Sequence, residues 1–228
     1  MSKFFSLIPA RIGSKGIPKK NLYPLCNKPL VQWTIESSQG SKYISETIVS
    51  SDSKEILNLS KSLGVNIHKR NKSLSDDHAR SEDVVLNVLD ELEYLNKKFE
   101  YLVLLQPTSP LRNMKHIDLA CEKIIEENVD SLISVKEVNR GVLKTLVQND
   151  DGSLMSSYNK NFPFMPRQEL PKAFMPNGAI YISKISSFIE TQSFLVKDNS
   201  YILMDEQSSS DIDTMQDILK VSKLAEAL

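Results

Sequence analysis

The chain is poor in the residues that mark several protein classes. It has only two cysteines, Cys26 and Cys121, in 228 residues. That is too few for a disulfide framework and offers no paired spacing for zinc, so both read as reduced, structural thiols. With 7 Gly and 10 Pro it is neither collagen-like nor low in complexity. A formal net charge of −1 leaves no basic excess for nucleic acid or for an anionic membrane. Apolar runs are short, and the segment from Tyr101 to Leu105 falls far below a membrane span. The opening residues carry no long apolar run before a small-residue cleavage site, because Pro9 and Arg11 interrupt it, so a soluble cytoplasmic protein is the expectation.

What remains is an ordinary globular composition, 40% hydrophobic, over a length that suits one domain spanning 1–228. The apolar run Phe4-Phe5-Ser6-Leu7-Ile8 reads as a buried strand. A basic loop follows it directly, Pro9-Ala10-Arg11-Ile12-Gly13-Ser14-Lys15-Gly16-Ile17-Pro18-Lys19-Lys20-Asn21. Glycines bring backbone N–H groups close to a ligand, and a triphosphate needs such donors together with cations. The loop is neither a Walker A nor a G-x-G-x-x-G sequence. A solvated basic loop at a sheet edge would have the same composition.

Strand and helix patterns then alternate. Pro29 opens a helix pattern, Glu46–Ser50 reads as a strand, and Asp52 with Glu55 resembles a capping box for a helix ending at Gly64. Val65–His68 is a short strand, and Val84 to Leu95 carries an amphipathic helix. Tyr101–Leu105 is continuously apolar, as a strand covered on both faces requires. A helix around Ile117–Ile125 and a strand at Ser131–Val135 follow. This order predicts an α/β fold with a mostly parallel, Rossmann-like sheet and helices on both faces. The pattern breaks between about Glu137 and Pro176, where Asn149-Asp150-Asp151-Gly152 signals a turn and Phe162-Pro163-Phe164-Met165-Pro166 is apolar without period. Such a protruding segment calls for a partner surface. The sheet resumes at Ala179–Ile182, and a helix from about Thr214 to Leu224 ends the pattern.

Ligands of open parallel sheets bind at the carboxyl ends of the strands. The basic loop and Gln106-Pro107-Thr108-Ser109-Pro110-Leu111-Arg112 both follow strands there, and the two prolines give the second loop a fixed course. A rigid turn without a ligand would look alike. Asp211-Ile212-Asp213 adds two carboxylates on one side of an extended segment, which suits Mg²⁺ with phosphate oxygens. Asp213 with Gln216 is equally a helix cap.

Taken in order, Pro-Ala-Arg-x-Gly-Ser-Lys-Gly-Ile-Pro-x-Lys-Asn, Gln-Pro-Thr-Ser-Pro-Leu-Arg, Arg-Gln-x-Leu-Pro, Pro-Asn-Gly-Ala-Ile-Tyr-Ile and Asp-Ile-Asp resemble the bacterial N-acylneuraminate cytidylyltransferases, or CMP-sialic acid synthetases. The resemblance runs from Ile8 to about Asp217. It implies a nucleotidyltransferase-type fold and transfer of CMP from CTP to a nonulosonic acid, with release of pyrophosphate. By motif, Arg11, Ser14, Lys15, Lys20 and Asn21 would hold the nucleotide, joined by Arg70 and Ser81. Asp211 and Asp213 would hold Mg²⁺, with Lys20, Gln106 and Asp211 at the reacting centre. Gln106 and Ser109 would face the sugar. The segment at about 137–176 would be an arm joining a homodimer, with Lys144 and Arg167 reaching the partner's sugar site. Met175 precedes Pro-Asn-Gly-Ala where the resemblance leads one to look for arginine, and with Phe194 and Leu195 it is expected to form an apolar wall at the acceptor. No side chain stands out as a general base. Legionaminic acid, pseudaminic acid and Kdo are alternative acceptors, and a non-catalytic nucleotide-binding regulator is the alternative of another class.

Overall fold

The computed structural model describes residues 3–76 and 79–226. The chain runs through β1 (Phe4–Pro9), the small hairpin β2 (Pro24–Leu25) and β3 (Lys28–Pro29), and α1 (Leu30–Gln39). It continues through β4 (Ile44–Ser51), α2 (Lys54–Ser62), β5 (Asn66–Lys69), α3 (Ser81–Tyr94) and β6 (Tyr101–Leu104). Next come α4 (Met114–Glu127), β7 (Ser131–Val138), and a second hairpin of β8 (Leu146–Gln148) and β9 (Leu154–Ser156). The long strand β10 (Ala173–Lys184), α5 (Ile185–Thr191), β11 (Asn199–Leu203) and α6 (Met215–Ala225) complete the order.

One sheet dominates, in the order β11-β7-β10-β6-β1-β4-β5. All its neighbours pair in parallel except β10, which runs antiparallel to β6 and β7. Alternation along the strands explains how both faces are filled. Phe4, Ile8, Tyr101 and Val103 pack under α1, α2 and α4, whereas Phe5, Leu7, Leu102 and Leu104 pack under α3 and α5. The unbroken apolar run of β6 is therefore buried on both sides. Connection handedness is not uniform. α1 and α4 cover the same face, yet β1-α1-β4 and β6-α4-β7 travel in opposite directions across the sheet. The β6-α4-β7 crossover thus has the opposite hand to the other, a rare choice for parallel strands.

Two helix starts differ from expectation by one residue. Ser53, not Asp52, caps α2, accepting from the Ile56 N–H at 3.4 Å. Asp52 instead turns away and accepts from the Ile12 N–H at 2.9 Å, holding the basic loop. At α6 the capping box is Thr214 with Asp217, not Asp213 with Gln216. The Asp217 carboxylate takes the Thr214 N–H at 2.7 Å and also the Asp213 N–H at 3.1 Å. Asp213 is left with its carboxylate free of any capping role.

Pairing of Val138 with Ala173 extends the sheet, so the segment leaving it is residues 139–172. Its hairpin turns at Asn149–Gly152, where the Gly152 N–H donates to the Asn149 carbonyl and Gly152 adopts φ +83°. Arg140 staples the segment's two ends, donating to the carbonyls of Gln168 and Leu170. Leu154, Tyr158 and Phe164 stay exposed on it, Phe164 to 86%.

Candidate active site

β1 and β6 are parallel neighbours, but the chain leaving β1 moves through α1 and α2 toward the opposite edge of the sheet. A crevice opens at such a reversal, outside the carboxyl ends of the strands. There the protein has a pocket of about 200 Å³. The loop after β1 supplies Arg11, Ser14, Lys20 and Asn21, the end of β5 supplies Arg70, and the start of α3 supplies Ser81. Gln106, Pro107 and Thr108 close the side formed by β6. Six of the residues expected to hold a nucleotide therefore line one cavity.

Ile212 ties the three motifs together. Its N–H donates to the Thr108 carbonyl at 2.9 Å, and its carbonyl accepts from Lys20 Nζ at 2.8 Å. Its side chain is fully buried with Ile17, Leu111 and residues of α6. Neither flanking aspartate lines the pocket itself: Asp213 meets Lys20 and Asp211 meets Thr108, which do line it, while Asp211 also lines a separate depression with Lys136 and Ser210. Lys20 Nζ also meets Asp213 Oδ1 at 2.9 Å.

The electrostatics favour an anionic ligand. Arg70 is 6% exposed, and its guanidinium bonds the Ser50 hydroxyl, the Ser50 carbonyl and the Leu74 carbonyl. All three acceptors are neutral, so burial pulls its pKa down to about 10. A buried cation without a contacting carboxylate gains by receiving an anion. Asn21 donates to the Arg11 carbonyl at 2.8 Å while its side-chain oxygen, buried, has no partner. Asp211 remains accessible as a residue, but protein crowds water from its carboxyl and pushes its pKa up. The neighbouring Asp213 charge adds to the rise, while a hydrogen bond from Thr108 and the Lys20 charge oppose it. Two carboxylates this close suit a cation between them.

Several expected residues lie elsewhere. Lys15 is exposed and outside the pocket, and Lys19 turns away to pair with Glu55 at 2.9 Å. Ser109 is fully buried, because successive turns from Gln106 to Ser109 and from Ser109 to Arg112 coil the loop inward, and its hydroxyl has no hydrogen-bond partner there. Phe194 does not form an open wall with Met175 and Leu195. Its ring is 8% exposed and packs on Phe188 and Tyr181 at 4.8 and 5.4 Å. Met175 is exposed opposite Lys136 on β7, and Leu195 is exposed beyond α5. Lys144 and Arg167 lie in the protruding segment and do not line the pocket.

Other contributors escaped the sequence reading. Thr108 contacts both Ile212 and Asp211. Tyr181 lies within the field of Asp211, and burial, followed by that charge, raises its pKa. Gly178 adopts φ +78°, which favours glycine, and sits against the Gln106 side chain, 3.0 Å from where a Cβ would lie. Arg112 is fully buried beneath the loop, donating to the carbonyls of Gln106 and Ala179, and desolvation lowers its pKa to about 9. The reversal of β10 could have hinted at Tyr181 and Gly178, because it brings Pro176–Gly178 to the carboxyl ends of its neighbours.

An α/β sheet with basic loop and acidic pair at its reversal point defines a nucleotidyltransferase-type protein. The chain belongs to the cytidylyltransferase family, whose model matches residues 5–212. It is 30% identical to a pseudaminic acid cytidylyltransferase of Campylobacter jejuni, over 95% of this chain and 93% of that one. It is 34% identical to an N-acylneuraminate cytidylyltransferase of Streptococcus agalactiae, over 94% of this chain and 51% of that longer protein. The fold is similar to that of a CMP:2-keto-3-deoxy-manno-octonic acid synthetase complexed with CTP, with a TM-score of 0.74, 16% identity and full coverage of both chains. Among the described residues, no helix is long and apolar enough to cross a membrane.

Proposed function

We propose that the protein transfers CMP from CTP to the anomeric hydroxyl of a nonulosonic acid, with N-acetylneuraminate as the preferred acceptor. The observation that carries this reading is the Ile212 junction, which places two carboxylates beside a cationic pocket built from the β1 and β6 loops. The relatives named for N-acylneuraminate and pseudaminic acid support the acceptor class. The acceptor hydroxyl attacks the α-phosphorus, pyrophosphate leaves, and the hydroxyl proton passes to water. Arg11, Lys20 and Arg70 balance the triphosphate charge, and Asn21 and Ser81 bond neutral atoms of the nucleotide. Gln106 faces the same cavity and orients the acceptor.

Asp211 and Asp213 would hold Mg²⁺. Among the described residues no cluster of three His, Cys, Asp or Glu side chains forms a metal cage. Two carboxylates completed by phosphate and water fit Mg²⁺ better than a cation enclosed wholly by protein. When bound, the ion neutralises charge on the α-phosphate and on the leaving pyrophosphate. The exposed apolar residues of 139–172 fit a homodimer in which Lys144 and Arg167 serve the partner's acceptor site.

Pyrophosphate release from CTP, with and without added acid, tests the reaction. Release that depends on the sugar and on Mg²⁺ is expected. CTP binding without release would instead identify a regulatory module. Pseudaminic acid is a second acceptor, favoured by the relative matched along nearly its whole length.

A further inference from the structure

Arg70 is not held by the pocket alone. Ser50 on β4 and His68 on β5 are register partners in the parallel pair, both buried, at 0% and 4% exposure. Ser50 Oγ lies 2.8 Å from His68 Nδ1 and 3.1 Å from Arg70 Nε. On the other side of the ring, His68 Nε2 stands 3.4 Å from Glu91 Oε2 on α3, where Asn87 also faces the imidazole. The direction of this chain follows from its members. The Glu91 carboxylate can only accept, so the hydrogen of the neutral ring lies on Nε2, facing it, and Nδ1 is left as an acceptor. Ser50 Oγ therefore donates to His68 Nδ1 and accepts the Arg70 Nε–H on a lone pair. Burial above all favours this neutral imidazole and, with the Arg70 charge, outweighs the opposing pull of the Glu91 carboxylate.

We propose that Glu91, His68 and Ser50 form a hydrogen-bonded chain that aims the Arg70 guanidinium at the nucleotide, making Ser50 and His68 positioning residues. None of the three lines the pocket, and none need touch a ligand. Two carbonyls hold the outer nitrogens of the guanidinium, and the Ser50 hydroxyl adds a third point at Nε that fixes where the side chain enters the group. His68 leaves that hydroxyl one orientation. Cross-strand placement makes the anchor rigid, because both residues belong to the central sheet. The inference rests on reading Arg70 as a nucleotide contact.

The test is calorimetric titration of the full chain with CTP and Mg²⁺, without any sugar. Ser50→Ala and His68→Leu should each raise the CTP Kd about five- to tenfold, the scale of one lost hydrogen bond in a buried network. His68→Gln, whose amide can accept at one end and donate at the other, should stay within about twofold of the native protein. In an Arg70→Ala background, Ser50→Ala and His68→Leu should change the affinity no further, because the chain acts only through that side chain. Equal losses in both backgrounds, or a His68→Gln defect as large as that of His68→Leu, would show plain packing and overturn the proposal. Weakened binding in Arg70→Ala with native binding in Ser50→Ala would remove the chain but keep the site. Native binding in Arg70→Ala would remove both.

Discussion

A Cβ on Gly16 would stand 2.1 Å from the Asp213 carbonyl oxygen. The basic loop and the acidic pair are therefore in backbone contact, and only glycine permits it. Gly16→Ala must push one of the two segments away and shift Lys20 relative to Asp213. Overpacking of this kind costs about 1–3 kcal/mol of stability. Turnover should suffer more, by roughly a hundredfold, because a displacement near 1 Å spoils alignment. Native-like turnover in Gly16→Ala would refute the contact's importance.

Lys20 links pocket and carboxylates through its bonds to Ile212 and Asp213. Lys20→Met keeps the aliphatic stem but loses the charge. CTP affinity should fall by about 1.5–3 kcal/mol, the worth of a hydrogen bond to a charged group. Thermal stability should fall by only about 1 kcal/mol, since the Asp213 partner is 72% exposed and the pair adds little, and the bond lost to the Ile212 carbonyl is a single hydrogen bond. Titration calorimetry and a melting curve on the same sample separate these effects.

Asp211 makes a stability prediction with a definite sign. Its carboxyl is raised above the ordinary 3.8, chiefly by burial, so the folded chain binds this proton more tightly than the unfolded chain. Stability from this group is complete below the ordinary value and is lost as pH rises through the raised one. At neutral pH the ionised group therefore works against folding. Asp211→Asn should melt higher than the native protein at pH 7, with the gain shrinking as pH falls through the carboxylate range. If the pair serves the proposed transfer, the same variant should lose roughly 10²–10³-fold in turnover, and Asp213→Asn likewise, because each removes a preorganised charge. Added Mg²⁺ should raise the melting point of the native protein and not of Asp211→Asn. A variant that melts lower and stays active would contradict both halves.

Much of this was legible in the sequence where a local pattern determines the outcome. Alternating Phe4 to Ile8 and the unbroken Tyr101–Leu105 run encode burial directly, and the basic loop follows its strand without a gap. What stayed hidden depends on long-range contact or on offsets of one residue. Asp52 and Ser53, or Asp213 and Thr214, offer equivalent caps, and tertiary bonds to Ile12 and Lys20 decide which side chain remains for the cap. Ser109 and Arg112 are polar letters in a loop, yet the turns between them fold both inward. Phe194 reads as apolar in either role, and only the fold shows it seated behind Tyr181.

The protruding segment predicts complementation. Arg167 is exposed, and its own chain's pocket does not include it. If it serves a partner, an Arg167→Ala chain mixed with an Asp211→Asn chain should regain part of the activity that each lacks alone. One hybrid site would then have both residues intact. Subunit exchange is confirmed by mass-tagged chains. A monomer in solution, or exchange without rescue, would end the homodimer reading.

The acceptor prediction turns on Tyr181. Phe194 backs its ring, and its phenol lies in the field of Asp211, so an acceptor bound beside Asp211 would meet a polar edge there. A site built to bond hydroxyls rejects an analogue that lacks one far more strongly than an apolar pocket rejects an extra one. An added or missing methyl alone changes selectivity by only ~1–3 kcal/mol. N-acetylneuraminate, hydroxylated to the end of its tail, should therefore exceed a 9-deoxy diacetamido acid in kcat/KM. Removing the phenol in Tyr181→Phe should narrow that preference. Met175→Arg, at an exposed position on β10, should widen it by adding a donor for a polar tail. Competition of the two acids at equal concentration measures the ratio directly. A native preference for the 9-deoxy acid would reassign the acceptor to the pseudaminic or legionaminic type while leaving the transfer chemistry intact.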